Sequence, residues 1–164
     1  MPTQKGTHVT LMDAKPSGII DARKHGGFIK YYGDSFELAD TADADNAIVL
    51  KLPIDGILDD VIFGCDDLGT AGTVDIGFYR KLSDGTYTAV DADALANNID
   101  VNTAAVAPTS YRYSVKGIET QNQTLWELAG LSARPAYDDI YLSLTTDTGT
   151  TTAGSVLLKA YVVV

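Results

Sequence analysis

The sequence predicts an all-β fold: an antiparallel, jelly-roll-like β-sandwich with one or two short helices and an extended N-terminal arm. Three observations carry that prediction. The acidic residues divide into 19 Asp and 3 Glu, and Asp competes with helix by bonding its own backbone, favouring turns and caps. The chain adds 18 Thr and 15 Gly, a bias toward strands joined by tight turns. Its apolar residues also recur with a two-residue period in short runs, without the long alternating helices that parallel crossovers require. At 164 residues and 45% hydrophobic, the chain is one domain able to bury roughly 68–70% of its unfolded surface, so global disorder is excluded.

Residues 1–27 form the predicted arm, punctuated by Pro2, Gly6, Pro16, Gly18, Gly26 and Gly27 and short of large apolar side chains. Lys5, Lys15, Arg23 and Lys24 against Asp13 and Asp21 give the arm +2, leaving −12 for the sandwich domain, residues 28–164. An ordered arm would dock on a neighbouring acidic subunit through those four basic residues; the structural alternative is a flexible terminus.

The predicted strands are Phe28–Tyr32, Ser35–Leu38, Ile48–Leu52, Leu58–Cys65, Thr73–Tyr79, Thr86–Ala89, Tyr111–Val115, Ile140–Thr145 and Val156–Val164. Val74, Ile76 and Phe78 share one face opposite Asp75, Gly77 and Tyr79. Ile140, Leu142 and Leu144 likewise oppose Tyr141, Ser143 and Thr145, which places one face in the core and one in water. The segments Cys65–Gly72 and Lys81–Gly85 carry Asp and Gly where hairpins need positive φ. Asp91 is placed to cap a helix over Ala92–Asn98. Thr124 and Glu127 have the spacing of a capping box, with Gly130 as the stop. The Thr- and Gly-rich tract Thr145–Gly154 reads as an exposed loop tip.

Catalytic chemistry finds little support. The two histidines, His8 and His25, both lie in the arm, and no Gly-x-Ser-x-Gly elbow accompanies His25-Gly26-Gly27. Cys65 beside Asp66 and Asp67 sits in an anionic setting that raises a thiol pKa, the signature of an inert cysteine. A cupin-like metal enzyme would need histidines in the barrel, and none follows residue 25. Adjacent carboxylates such as Asp59 and Asp60 point to opposite faces of a strand. The loop Asp40–Asn46 is oxygen-rich but lacks the Gly and Glu positions of an EF-hand, so no calcium is expected. No phosphate or dinucleotide motif is present. The expectation is no enzyme, no catalytic residue, no metal and no cofactor.

The net charge of −10 opposes phosphate neutralisation, so nucleic acid is not expected as a partner. No run approaches a bilayer span and none resembles a signal-peptide core, so no membrane partner is expected and synthesis in the cytoplasm of the producing cell is. Surplus aromatic residues fall on faces that the alternation turns outward, and Tyr31, Tyr32, Tyr111, Tyr113, Trp126, Tyr141 and Tyr161 are therefore candidate interface residues. The structural alternative is a second layer, such as the helices or the arm, lying over the sheet.

The order Gly27-Phe28-Ile29-Lys30, Asp34-Ser35-Phe36-Glu37-Leu38, Leu52-Pro53-Ile54-Asp55-Gly56-Ile57-Leu58-Asp59-Asp60-Val61, Asp66-Asp67-Leu68-Gly69 and Val74-Asp75-Ile76-Gly77, closed by a polar turn and an apolar last strand, resembles small virion structural proteins of tailed bacteriophages. Several of these are capsid decoration, or cement, proteins. The resemblance covers most of 27–79 and 138–164. It implies a homo-oligomer, a trimer being the expected state, bound to the major capsid protein on the outer surface of the head, where it stabilises the capsid. Two rivals stand beside it: a tail or fibre module binding host-surface carbohydrate through aromatic, Asp-rich loops, and a metal-assisted hydrolase using clustered Asp.

Overall fold

The computed structural model describes residues 27–39, 44–69, 72–102 and 104–164. The arm with Lys5, Lys15, Arg23 and Lys24, both histidines and most of the Asp40–Asn46 loop lie outside the described residues.

Among the described residues eight strands form: β1 (Ile29–Leu38), β2 (Asn46–Pro53), β3 (Ile57–Cys65), β4 (Thr73–Lys81), β5 (Tyr87–Asp100), β6 (Val106–Ser110), β7 (Asp139–Thr148) and β8 (Gly154–Val163). They make two four-stranded sheets, ordered β1-β8-β3-β6 and β2-β7-β4-β5, antiparallel at every pairing. The chain passes from one sheet to the other at most connections, which is the winding of a jelly roll. The predicted fold class is the one observed.

The two-residue period places the core. Val74, Ile76 and Phe78 of β4 meet Ile140, Leu142 and Leu144 of β7, and both sets face Leu158, Ala160 and Val162 of β8 across the sandwich, all buried. Each such aliphatic or aromatic side chain contributes roughly 1.5–3 kcal/mol by leaving water, enough in sum to hold the sheets without a disulfide. The single cysteine, Cys65, is buried and unpaired.

Several predicted elements need correction. The two candidates at Phe28–Tyr32 and Ser35–Leu38 are one continuous strand, because β8 pairs with every residue from Ile29 to Leu38. The predicted helix over Ala92–Asn98 is strand. Ile76 faces Ala96 and Phe78 faces Asp91, so β5 carries extra residues as a bulge, and that bulge buries Ala94, Leu95 and Ala96. Alanine-rich composition favours a helix locally, but burial against β4 overrides it. Asn98 takes φ 54°, a conformation Asn tolerates. The bulge is also pinned by the Asn98 N–H donating to Asp75 Oδ1 at 2.7 Å and Asn97 Nδ2 donating to Asp93 Oδ2 at 2.7 Å.

The predicted strand Tyr111–Val115 is a loop, and the strand lies just before it, at Val106–Ser110. Pro108 interrupts the donor row of that run, and β6 is an edge strand, where a missing N–H is tolerated. Lys81–Gly85 is the expected hairpin: Leu82 and Thr86 are bonded across it, Asp84 accepts from the Thr86 backbone and hydroxyl, and Gly85 has φ 89°. Cys65–Gly72 is not a hairpin, since it carries the chain from β3 in one sheet to β4 in the other.

The second predicted helix is present as α1 (Leu125–Leu128), with Thr124 at its N-cap. The Glu127 carboxylate accepts from both the backbone N–H and the hydroxyl of Thr124 at 2.7 Å, and Gly130 ends the turn at φ 74°. Glu127→Ala is expected to cost about 1 kcal/mol, the usual worth of a cap, measurable as a shift in urea midpoint at constant slope.

Candidate interaction surface

The outward face of the β1-β8-β3-β6 sheet is built in rows set by strand register. From the end where the chain enters β1, the rows read Ile29 and Val163; Tyr31, Tyr161 and Asp60; Gly33, Lys159, Ile62 and Ser110; then Ser35, Leu157 and Gly64. Glu37 and Ser155 follow in register, with Asp66 alongside through its N–H to the Ser155 carbonyl. The first rows are apolar and open. Phe28, Ile29 and Tyr31 are 80%, 60% and 57% exposed, and the rings of Tyr31 and Tyr161 meet at 5.6 Å in a tilted pair. The last rows hold an open groove of about 400 Å³ lined by Ser35, Gly64, Asp66, Pro108, Ser155 and Leu157 among others. Its floor depends on Gly64, where a β-carbon would sit 3.0 Å from the Pro108 nitrogen.

The outward face of the other sheet is closed on itself, which corrects the expectation that it faces water throughout. Tyr79, Ser143 and Thr145 are buried. Tyr79 Oη and Thr145 Oγ1 are hydrogen-bonded at 3.0 Å, and Ser143 Oγ donates to the Ala47 carbonyl at 3.0 Å. Tyr87 packs edge-on against Tyr141 at 5.1 Å, Lys81 lies over the Tyr87 ring, and Lys51 pairs with Asp139 at 2.7 Å. The polar residues that the alternation sends outward find one another there.

A third feature is the loop after β6. Arg112 is fully buried. Its Nε donates to the Leu58 carbonyl at 2.9 Å, one terminal nitrogen to Thr120 Oγ1 at 3.2 Å and the other to the Thr120 carbonyl at 2.9 Å, while the guanidinium lies 4.8 Å from the centre of the Tyr113 ring. Burial pulls the Arg112 pKa down, and the nearby Tyr113, Asp59 and Asp60 oppose that shift. This anchor holds Tyr113, Val115 and Ile118 out in solvent. A second arginine, Arg134, bonds Asp55 and Asp138 at 2.8 and 3.0 Å and fixes the segment leading into β7.

The candidate interface residues thus separate. Tyr31 and Tyr161 come together on one outward face. Tyr113 projects from the anchored loop. Tyr141 lies on the opposite sheet. Tyr32 and Trp126 are half-buried and pack against the core, and Tyr111 is half-buried with its ring edge-on to Phe63 at 6.2 Å. Sequence reasoning missed the exposure of Phe28, Ile29 and Ile118 and the anchoring role of Arg112. The period that turns Tyr31 outward turns Ile29 outward as well, so that part was available; Arg112 left no local signal.

Titratable groups fit this picture. The Cys65 thiol is pushed up chiefly by burial, with Asp66 and Asp67 adding to the rise, so the anionic neighbours named from the sequence are the smaller cause. Asp75 is held above the ordinary 3.8, first by burial and then by Asp147 and Asp93, against the Asn98 N–H that lowers it. A carboxyl whose folded pKa is raised disfavours the folded state when ionised, and that cost disappears as pH falls through the raised pKa. Asp75→Asn, which keeps the acceptor for Asn98, is therefore expected to raise Tm at pH 7, with the difference from the parent vanishing near pH 3; melting curves across that range check it. Among the described residues, no group of three or more His, Cys, Asp or Glu could hold a metal ion, and no helix is long and apolar enough to cross a membrane.

The fold and surface define a class: an eight-stranded jelly roll with one outward face largely bonded to itself and the other open, apolar at one end and acidic at the other. Comparison with solved structures places particular chains beside it. One belongs to the capsid asymmetric unit of cyanophage Pam1, with 16% identity, a TM-score of 0.57 and coverage of 100% of this chain and 99% of that one. Another belongs to the capsid of Ralstonia phage GP4, with 17% identity, a TM-score of 0.55 and coverage of 82% and 84%. At these identities the likeness is one of fold. No family model matches the sequence, and a search of curated proteins finds no match.

Proposed function

We propose that this chain is a non-enzymatic virion structural protein, a capsid decoration or cement protein that assembles as a homo-oligomer on the outer surface of a phage head and stabilises it. The observation that carries the reading is the end-to-end correspondence of fold with a chain of the cyanophage Pam1 capsid asymmetric unit. The correspondence spans 100% of this chain and 99% of that one. The surface supports the reading in three ways. An acidic body is repelled by packaged DNA and suits the outside of a shell. The exposed patch of Phe28, Ile29 and Tyr31 has the aromatic and apolar character of an interface core. Repetition over a lattice lets weak contacts add, so no single residue need bind strongly.

The sequence-based candidates enter this proposal unequally. Tyr31, Tyr113 and Tyr161 are the residues we assign to contacts with other copies or with the major capsid protein. Lys5, Lys15, Arg23 and Lys24 are assigned to arm contacts, and a trimer is the proposed copy number.

The test is binding of the purified protein to empty heads of the encoding phage that lack it. Saturable binding, a raised temperature of capsid disruption and density on the outer surface in particle images are expected. A protein that stays monomeric at high concentration and leaves the heads unbound and no more stable overturns the reading.

A further inference from the structure

We propose that the groove between Ser35, Leu157, Gly64 and Pro108 receives the basic N-terminal segment, residues 1–26, of a neighbouring copy. The proposal rests on the oligomer assigned above and names the contact that would close it. Three observations support it.

The groove has the chemistry for such an occupant. Its lining is mainly apolar, and the β6 backbone lies close against Gly64 because no side chain stands there. Its outer end carries the exposed carboxylate of Asp66, with exposed Glu37 beside it in register with Ser155 and exposed Asp67 next along the chain, and with Lys159 two residues inward along β8. The segment carries Lys5, Lys15, Arg23 and Lys24 interspersed with Val9, Leu11, Ile19 and Ile20, so it offers cations for the rim and aliphatic side chains for the floor.

The point of entry favours a neighbour over the same copy, and the length permits it. The chain enters β1 at Phe28, which exchanges backbone hydrogen bonds with Val164, whereas the groove crosses the sheet at Ser35. At about 3.4 Å per residue, the two points are roughly 24 Å apart. A segment docking on its own body would have to reverse at Gly27 and retrace that distance. Extended from the entry point, 26 residues reach up to about 90 Å, ample to cross onto an adjacent copy.

Charge gives the contact a purpose. Bodies of −12 repel one another, and a +2 segment passing from each body to the acidic rim of the next replaces part of that repulsion with attraction. The donor and acceptor differ and are present on every copy, so the contact can pass head-to-tail from copy to copy, and it closes into a ring where the rotation between copies closes.

The experiment uses the full chain. Light and isotopically heavy protein are co-refolded and treated with a carbodiimide, which joins lysine amines to carboxylates without a spacer. Links from Lys5, Lys15 or Lys24 to Glu37, Asp66 or Asp67 that join a light chain to a heavy one are expected. Arg23→Glu with Lys24→Glu should reduce them about tenfold, as charge reversal across a complementary interface does, and Glu37→Lys with Asp66→Lys on the partner should restore the association, read as light–heavy links from Lys5 or Lys15 to Asp67. Rim links confined within single chains, arm lysines linked only elsewhere, or links indifferent to charge reversal would overturn the proposal. Head binding without rim links sinks this contact alone, whereas rim links without head binding sink the proposed function and leave the contact standing.

Discussion

Arg112→Ala is expected to lower the unfolding free energy by roughly 3 kcal/mol, making it among the most damaging single changes in the protein. The substitution removes three donors from a fully buried position and takes one from each of the Leu58 and Thr120 carbonyls, of which the second keeps the Gln123 N–H at 3.0 Å. A buried acceptor left bare costs about 1–3 kcal/mol, and the vacated volume adds to that. Relief from burying the cation offsets only part. Arg112→Met restores most of the volume while leaving the guanidinium's hydrogen bonds unmade, so it should recover only the packing share, a loss of about 2 kcal/mol. Urea unfolding at pH 7 measures both. The loop carrying Tyr113, Val115 and Ile118 should also become the first site of limited proteolysis in Arg112→Ala. Equal stability of the alanine variant and the parent would refute the anchoring role.

Gly77→Val is the other change expected to cost roughly 3 kcal/mol, at the upper end of what overpacking does. A β-carbon at Gly77 would lie 2.2 Å from the carbonyl carbon and oxygen of Ala92 and 2.3 Å from the Asp91 carbonyl oxygen. Those are backbone atoms of β5, so the clash has no side chain to absorb it, and the bulge that seats Ala94 and Leu95 in the core must move. Gly85→Ala is the control. Nothing lies within 4 Å of a β-carbon there, but φ is 89°, so only conformational strain is paid, about 1–2 kcal/mol. Thermal melts that ranked Gly85→Ala as the worse of the two would contradict the packing argument.

The legible and illegible parts of this fold divide along one physical line. Alternation in β4 and β7 identified the core face, since burial follows the local period wherever a strand is regular. Thr124 and Glu127 revealed α1 because a capping box is a local hydrogen-bond device. The bulge in β5 was misread because Ala92–Asn98 is locally suited to helix and becomes strand only through β4. The loops Cys65–Gly72 and Lys81–Gly85 share the same turn chemistry, yet one crosses between sheets and the other does not. That difference is decided by the pairing of β3 with β8 and of β4 with β7, which no turn residue encodes.

The candidate surface shows the same division. Tyr31 and Tyr161 were assigned outward by period and are outward. The groove was invisible in advance, because it depends on Gly64 and Pro108 lying side by side in strands separated by two others in the sequence. Arg112 reads as one more charged residue until its three acceptors, two of them backbone carbonyls, surround it.

The Tyr79–Thr145 and Ser143–Ala47 bonds that seal one sheet have a consequence for growth. A slab adhesive on both sides stacks without limit, whereas a slab with a self-satisfied back presents nothing for a further layer. A coat built with the open side down would therefore present as its outermost skin a face whose strand groups are already bonded to one another, leaving less for a further layer.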